Sequence, residues 1–295
     1  MEMENSDKII VVYEIRVPSR RSKPETAQRS IETVINKIRE NDFIDIINVP
    51  EIIEENYKGD PFYKSIDVVP LGQRIQEESG KEVIINKVIG HLQGKEGFAE
   101  FLKDAKETRG IKNIVLVGVA NIHNEYPGPS VTEANRFASE FGVSIGNICI
   151  PTRPEEVSRM FAKTESGCSF FTTQILFEEK AIKKVLLDYD KLCKEKNMKP
   201  SRILLSFSTL EDGYDIEFFK WLGVDIHKET EKEMRDSEDI KAYCESRIKK
   251  LCESILNFKK ENGIAVPLGI NVAQVNTRNL ESSLKLTKDL AQIKV

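Results

Sequence analysis

The chain contains eight short apolar runs rich in β-branched residues, and most of them are separated by amphipathic segments. The runs lie at 9–15, 43–49, 83–89, 113–119, 143–149, 168–174, 202–207 and 265–272. Each run is as long as a buried strand and too short for a helix. Near-continuous apolarity is typical of parallel strands that are covered on both faces. The sequence therefore predicts an α/β fold built on a parallel sheet.

The segments between these runs have the apolar period of helices. Three of the clearest lie at 26–41, 96–110 and 178–197. Ser130 and Glu133 stand at capping-box spacing, so a helix is expected to begin after Ser130. Pro154 is expected at the first position of the next helix, because its fixed φ suits that place, and Gly167 is expected to end it.

Eight strand runs, mostly followed by helices, favour a (β/α)8 TIM barrel over an open sheet. The prediction is a single TIM-barrel domain over residues 1–295, with an irregular helical insertion around 208–264 that holds the WLGVDI segment and then two charged helices. A doubly wound open sheet is the alternative, because periodicity alone does not exclude it. Against it, no GxGxxG turn follows the first strand and no P-loop is present.

The composition of the chain indicates which kinds of partner it binds and in which cellular compartment it occurs. Lys and Arg total 44 against 48 Asp and Glu, a formal net charge of −4, and a nucleic-acid binder would need a basic stripe. The longest apolar stretch, 114–120, is far shorter than the ~18 residues of a membrane span. The five cysteines lack CxxC pairing and the three histidines form no metal-binding motif. We therefore expect free thiols, no metal, no membrane span and a cytoplasmic protein.

In a barrel, catalytic residues lie at the carboxyl ends of the strands. Glu14 directly follows the apolar IIVVY run, and burial there would raise its pKa and make it a candidate general acid. The alternative is a structural carboxylate paired with Arg16 or another cation. Gln174 ends the FFTTQ run, where its amide could both donate to and accept from a heterocycle or simply satisfy a turn. Arg278, just beyond the last strand, is taken with Gln174 as a substrate-binding candidate.

Several segments resemble, in the same order, motifs of the methylenetetrahydrofolate reductase family. VYEIRVP (12–18) resembles the family's FEFFPP, and GCSFFTTQILFE (167–178) resembles its G-A-x-x-x-I-T-Q-x-x-F-D strand. YPGPSVTEA (126–134), RPEE (153–156) and GIKNIVLV (110–117) are similar to further family segments. The likeness extends over most of the chain, and the family fold is a TIM barrel.

The resemblance implies reduction of 5,10-methylenetetrahydrofolate, or a related pterin, to the 5-methyl form, with NADH or NADPH as donor and FAD as carrier. By position, Glu14 would be the acid that helps open the substrate's five-membered ring, and Gln174 would hydrogen-bond the pterin. Lys163 resembles a family lysine near the flavin phosphates, although a cation near a helix carboxyl end is also favoured by the helix dipole. Family members form homo-oligomers, which implies a homo-oligomer or a partner subunit.

Three positions that contact the flavin in the family carry other residues here. The family histidine, aspartate and tyrosine are replaced by Asn86, Ala120 and Ile148. One alternative is therefore a flavin-free reductase on the same barrel. A second alternative is a non-catalytic pterin-binding subunit of a one-carbon complex. An aldolase-like barrel is disfavoured, because no lysine at a strand end suits a Schiff base.

Overall fold

The computed structural model describes residues 8–56, 58–119 and 124–293, in which eight parallel strands form a closed barrel. In chain order the strands are β1 (Ile10–Glu14), β2 (Ile46–Pro50), β3 (Ile53–Glu55), β4 (Pro61–Tyr63), β5 (Glu82–Val88), β6 (Asn113–Val117), β7 (Ser144–Cys149), β8 (Phe170–Thr173), β9 (Arg202–Phe207) and β10 (Leu268–Ala273). The barrel order is β1-β10-β9-β8-β7-β6-β5-β2, and β2 pairs with β1 to close it. All eight predicted runs supply barrel strands, so the predicted (β/α)8 fold is confirmed.

Helices cover the outside of the barrel. They are α1 (Pro24–Arg39), α2 (Val68–Ser79), α3 (Gly94–Lys103), α4 (Val131–Ser139), α5 (Glu156–Glu165), α6 (Lys180–Glu195), α7 (Gly213–Trp221), α8 (Lys228–Asp236), α9 (Ile240–Glu261) and α10 (Leu280–Ala291). A π-helical turn, Asp104–Thr108, continues α3. The predicted capping box of α4 is confirmed: Ser130 Oγ accepts from the Glu133 N–H, and the Glu133 carboxylate accepts from the Ser130 N–H.

One local prediction is wrong. Helix α5 begins at Glu156, so Pro154 precedes it by two residues; Glu155 between them has φ +57°, a left-handed conformation that interrupts the helix. The two charged helices expected after WLGVDI are α8 and α9, but a further helix precedes them. The additional helix, α7, was hidden because its apolar residues do not keep to one face: Phe219 is buried while Trp221 is 67% exposed.

The barrel interior contains a small apolar cluster, separate from the larger core between strands and helices. Its members lie at the amino-terminal and middle positions of six strands: Ile10, Val12, Ile46, Ile84, Val115, Phe170 and Leu204. Gly146 of β7 leaves room for the Phe170 ring beside it, since a Cβ built on this glycine would lie 2.4 Å from the ring. The interior at this level is therefore a packed core.

The strands β3 and β4 form a short antiparallel hairpin between β2 and α2, outside the barrel sheet. The Phe62 side chain on this hairpin is 54% exposed. Among the helices that the structure describes, none is both long and apolar enough to cross a membrane.

Candidate active site

A layer of polar side chains covers the apolar interior at the carboxyl end of the barrel. On five strands the polar residue follows an inward apolar residue by two positions, the spacing at which strand side chains return to the same face. These pairs are Val12 and Glu14, Ile46 and Asn48, Ile84 and Asn86, Phe170 and Thr172, and Leu204 and Ser206. Asn271 of β10 joins the same layer through its hydrogen bond to Ser206. The fold thus brings polar groups from six separate strands together.

This layer forms the floor of a cavity of about 220 Å³ at the barrel mouth. The cavity is lined by Glu14, Asn86, Ile148, Ile150, Thr172, Thr173, Gln174, Ile175, Ser206, Leu222, Val224, Asn271 and Ala273. Among the described residues of that lining, Glu14 is the one titratable side chain. Apolar side chains form one wall and hydrogen-bonding groups form the floor, a combination that suits a flat, polar heterocycle.

Glu14, the last residue of β1, is held by neutral amides. Asn48 Nδ2 donates to Glu14 Oε2 over 2.6 Å, and Asn271 Nδ2 approaches the same oxygen at 3.5 Å. No cation pairs with Glu14 among the residues that the structure describes, so the alternative pairing with Arg16 is not found. Burial raises the pKa of Glu14, and the two amide hydrogen bonds oppose that rise. A carboxyl in this setting retains its proton to higher pH than an exposed one.

Three amide oxygens in the same layer have no hydrogen-bond partner within the described protein. They are Oδ1 of Asn48, Asn86 and Asn271, and each is buried. Buried acceptors normally find a donor, because an unpaired one costs about 1–3 kcal/mol. The floor of the cavity therefore suits a ligand that carries N–H donors.

Gln174 also lines this cavity, so the structure brings the two best sequence candidates together. Its Nε2 donates to the backbone oxygen of Leu222 over 3.1 Å, and its backbone N–H donates to Cys149 O over 2.9 Å. The first bond ties the end of β8 to the segment that follows α7. The Oε1 atom of Gln174 is then the atom available to accept from a bound heterocycle.

Arg278 is not brought into the cavity lining. Its guanidinium pairs with Asp212 and, over 3.1 Å, with Asp215. Both aspartates belong to the start of α7, and Asp212 caps that helix. Arg278 therefore joins the loop after β10 to α7. A substrate contact by Arg278 stays a prediction.

The residues at the positions that the resemblance assigns to a flavin do not fit that cofactor. Lys163 Nζ donates to Ile148 O over 2.9 Å, and burial lowers the pKa of this lysine. One N–H of Lys163 is thus used to bind β7. Ile148 lines the cavity as an aliphatic wall, Asn86 lines it as an amide, and Ala120 lies outside the described residues. The cavity is open at the barrel mouth, so its volume of about 220 Å³ sets no limit on what else binds beside a ligand on its floor.

A larger cavity, about 480 Å³, lies outside the barrel between α5, α6 and the segment before α8. Its lining mixes acids and bases, including Arg153, Glu178, Lys184 and His227. The Glu178 carboxylate there is already bound by Thr230 and Arg247. We place the chemistry at the mouth, because the mouth holds the strand-end carboxyl and the unpaired amides.

Among the described residues, no group of three or more His, Cys, Asp or Glu side chains could hold a metal ion.

Sequence reasoning identified Glu14 and Gln174 but gave no role to Asn48, Ser206 or Asn271. The signal for them was a polar residue near the carboxyl end of a mostly apolar strand, and Asn48 and Ser206 also stand two positions after an inward apolar residue. That signal becomes readable only once the inward face of each strand is known. The amides of Asn48 and Asn271 reach Glu14 from strands 34 and 257 residues away in sequence.

Comparison with known proteins agrees with the barrel fold and with the family resemblance of the sequence. A family model described as mycobacterial methylenetetrahydrofolate reductase matches residues 25–236. An uncharacterized protein from Clostridium thermocellum, reported to bind two copies of 5-methyl-5,6,7,8-tetrahydrofolic acid, has a similar structure: TM-score 0.80, 23% identity, 97% of this chain and 96% of that chain covered. The spore cortex-lytic enzyme SleL of Bacillus cereus matches at TM-score 0.51 and 13% identity, covering 98% of this chain and 76% of that chain. No curated protein sequence matches the chain.

Proposed function

Because the chain belongs to the mycobacterial methylenetetrahydrofolate reductase family, we propose that it binds a reduced pterin in the mouth cavity and reduces 5,10-methylenetetrahydrofolate to 5-methyltetrahydrofolate. NADH or NADPH supplies the hydride. The observation that carries the proposal is Glu14, a partly buried carboxyl with a raised pKa that is the one titratable group among the described residues of the cavity lining.

The unpaired amide oxygens support a pterin as the ligand. A tetrahydropterin carries N–H donors on its pyrimidine and on its reduced ring. Asn86 and Asn271 each line the cavity and each have an unpaired Oδ1 atom. Binding would give these buried acceptors the donors that the protein does not supply. Gln174 Oε1 would accept a further hydrogen bond from the wall of the cavity.

In the proposed reaction Glu14 acts as a general acid. Its proton moves to the substrate nitrogen N10 as the bond from N10 to the bridging methylene breaks, which leaves an iminium at N5. The hydride of the nicotinamide adds to that methylene carbon and makes the 5-methyl group. The products are 5-methyltetrahydrofolate, the oxidised nicotinamide and the Glu14 carboxylate, which regains a proton from water. General acid catalysis of this kind contributes about 10²–10⁴-fold in rate.

The proposal routes no step through a flavin. Ile148 and Asn86 line the cavity where the family resemblance implies a tyrosine and a histidine at the flavin, which favours direct hydride transfer from the nicotinamide to the pterin. The test is the formation of 5-methyltetrahydrofolate from 5,10-methylenetetrahydrofolate and NADH or NADPH by protein whose absorption spectrum has no flavin bands. Turnover that requires added FAD would contradict the flavin-free route. Absence of turnover with and without FAD would contradict the reductase.

A second candidate function is pterin binding without turnover. The protein from Clostridium thermocellum, reported to bind two copies of 5-methyltetrahydrofolic acid, favours it. Calorimetric titration with 5-methyltetrahydrofolate separates the two functions when it is combined with the turnover assay. Tight binding with no hydride transfer would favour the binding protein, and turnover by the isolated chain would favour the enzyme.

A further inference from the structure

The carboxyl of Glu14 is bound asymmetrically. Asn48 on β2 and Asn271 on β10 approach it from its two neighbouring strands, and both amides are directed to the same oxygen, Oε2. Asn271 Nδ2 is held in place by a second bond, to Ser206 Oγ over 3.1 Å. Oε1 accepts no hydrogen bond from the residues that the structure describes. Since Glu14 lines the cavity, Oε1 is the oxygen left for a bound molecule.

Folding stability alone does not account for these two amides. Asn48 and Asn271 are each 1% exposed, and each leaves its Oδ1 without a donor. An aliphatic side chain of similar size would avoid two buried, unpaired acceptors. Polar groups that cost stability in an otherwise apolar barrel are typical of functional sites.

We infer that Asn48 and Asn271 are positioning residues that bind Oε2 of Glu14 and leave Oε1 to carry the acid's proton toward the substrate. The carbonyl oxygen of a protonated carboxyl accepts hydrogen bonds, while its hydroxyl donates. Two N–H donors on Oε2 therefore favour the tautomer with the proton on Oε1. The identity of the substrate rests on the proposed function, but the asymmetric binding of the carboxyl does not.

The surroundings of Glu14 make this arrangement measurable. The described side chains that bind it are the neutral amides of Asn48 from β2 and Asn271 from β10, and the other polar residues of the described lining, including Ser206 and Asn86, are also neutral. Burial raises the pKa of Glu14, while the hydrogen bond from Asn48 is the largest effect that lowers it. Loss of the Asn48 amide should therefore raise this pKa further, because no cation among the described residues pairs with Glu14 to compensate.

The experiment is a carboxyl titration of the full chain, labelled with ¹³C at the glutamate carboxyl groups and followed by NMR without substrate. Glu14→Gln identifies the Glu14 signal. Asn48→Leu should raise the pKa of Glu14 by about one unit, the scale of a hydrogen bond to a charged group. Asn271→Leu should raise it less, because its contact is 3.5 Å rather than 2.6 Å.

Asn113→Leu is the matched control. Asn113 is also a buried strand asparagine that approaches a carboxylate, Glu82 Oε2 at 3.4 Å, but it lies at the opposite end of the barrel. It should leave the Glu14 titration unchanged. An unchanged Glu14 pKa in folded Asn48→Leu, or an equal shift in Asn113→Leu, would overturn the inference. If Asn48→Leu and Asn48→Ala both fail to fold, Asn48 is a structural residue and the inference is also overturned.

Substrate turnover then separates this inference from the proposed function. In an active enzyme, the basic limb of the pH–rate profile should move upward in Asn48→Leu by the same shift that NMR records. A shifted titration without any turnover would leave the positioning role intact and contradict the reductase. Turnover with an unmoved basic limb would contradict the positioning role alone.

Discussion

At the scale of single residues, the site depends on a carboxyl whose proton is retained by its surroundings. Burial is the largest effect on the pKa of Glu14, and the amides of Asn48 and Asn271 only partly oppose it. The acid form is the one that burial favours, because a neutral carboxyl loses less hydration than a carboxylate. Acid catalysis and folding stability are therefore linked through the same proton.

We predict that Glu14→Gln abolishes part of the pH dependence of stability. Glu14 has a pKa near 4.5 in the unfolded chain and a raised pKa in the folded one, so the folded state binds the extra proton between these two values. Its contribution to stability is complete below pH 4.5 and is lost as the pH rises through the raised folded pKa. Urea unfolding of both proteins from pH 4 to 9 measures this difference.

Above that window Glu14→Gln should be more stable than the parent chain, because it buries no ionised group. If the free energy of unfolding had the same pH dependence in the parent chain and in Glu14→Gln, the pKa of Glu14 would not be raised by folding.

Gln174→Ala should weaken pterin binding with little effect on the fold. Loss of one hydrogen bond in a buried site costs about 1–3 kcal/mol, or roughly 5- to 150-fold in Kd. Calorimetric titration with 5-methyltetrahydrofolate measures it. Gln76→Ala is the control, since Gln76 also donates to a backbone oxygen, Gly110 O at 3.4 Å, but lies on α2 away from the cavity. Equal affinity for all three proteins would make Gln174 a structural residue.

Part of this residue-scale picture was available from the sequence. The sequence placed Glu14 and Gln174 at the ends of their strands, and both line the mouth cavity, while their roles stay predictions. The contact made by the Lys163 amine was not predictable, because the long, flexible side chain of a lysine on α5 can extend in more than one direction. Only the packed structure shows that its amine is bound to Ile148 O.

At the scale of elements, the inner packing of neighbouring strands depends on one glycine. A Cβ on Gly146 would lie 2.4 Å from the Phe170 ring and 2.8 Å from Val115 Cγ2, and both neighbours are themselves packed. Gly146→Ala should therefore destabilise the chain by about 1–3 kcal/mol, the range for overpacked cores. The midpoint and slope of urea unfolding measure this change.

Gly213→Ala provides the matched comparison for that prediction. Gly213 begins α7, its φ is not in the left-handed region, and a Cβ there would meet Arg235 at an ordinary 3.5 Å. This variant should be neutral or slightly stabilising, since alanine favours helix over glycine. If Gly146→Ala were as stable as Gly213→Ala, the close packing around Phe170 would be contradicted.

The helices show where periodicity succeeds and where it does not. Helix α1 was predicted because Ile31, Val34, Ile35 and Ile38 share one buried face. Helix α7 was not predicted, since Tyr214 and Trp221 are exposed while Ile216 and Phe219 are buried. The β3–β4 hairpin gave no signal either, because its strands have three residues each and remain largely outside the core.

At the scale of the whole molecule, the barrel follows from the count and spacing of the apolar runs. The closure of the sheet follows from β1 pairing with both β2 and β10, which no local pattern encodes. The polar layer at the mouth depends on that closure, because it brings Glu14 between Asn48 and Asn271. The sequence could therefore identify Glu14 as a candidate, but not the two asparagines that bind it.

The buried thiols provide a test of this packing over the whole chain. The five cysteines are unpaired and buried. Burial raises the pKa of each thiol, to about 12 for Cys168, Cys244 and Cys252. The native protein should react slowly with Ellman's reagent, whereas the denatured chain should release five equivalents of thionitrobenzoate. Fast reaction of one or more thiols in the native protein would contradict the packing.

The most direct test of the central claim is the rate at which Glu14→Gln forms 5-methyltetrahydrofolate from 5,10-methylenetetrahydrofolate and a reduced nicotinamide. Glutamine preserves the size and hydrogen bonding of Glu14 but cannot release the proton. The account predicts a rate about 10²–10⁴-fold below that of the parent chain, with 5-methyltetrahydrofolate binding retained. A variant that binds the pterin and turns over at nearly the parent rate would contradict the assignment of Glu14 as the acid.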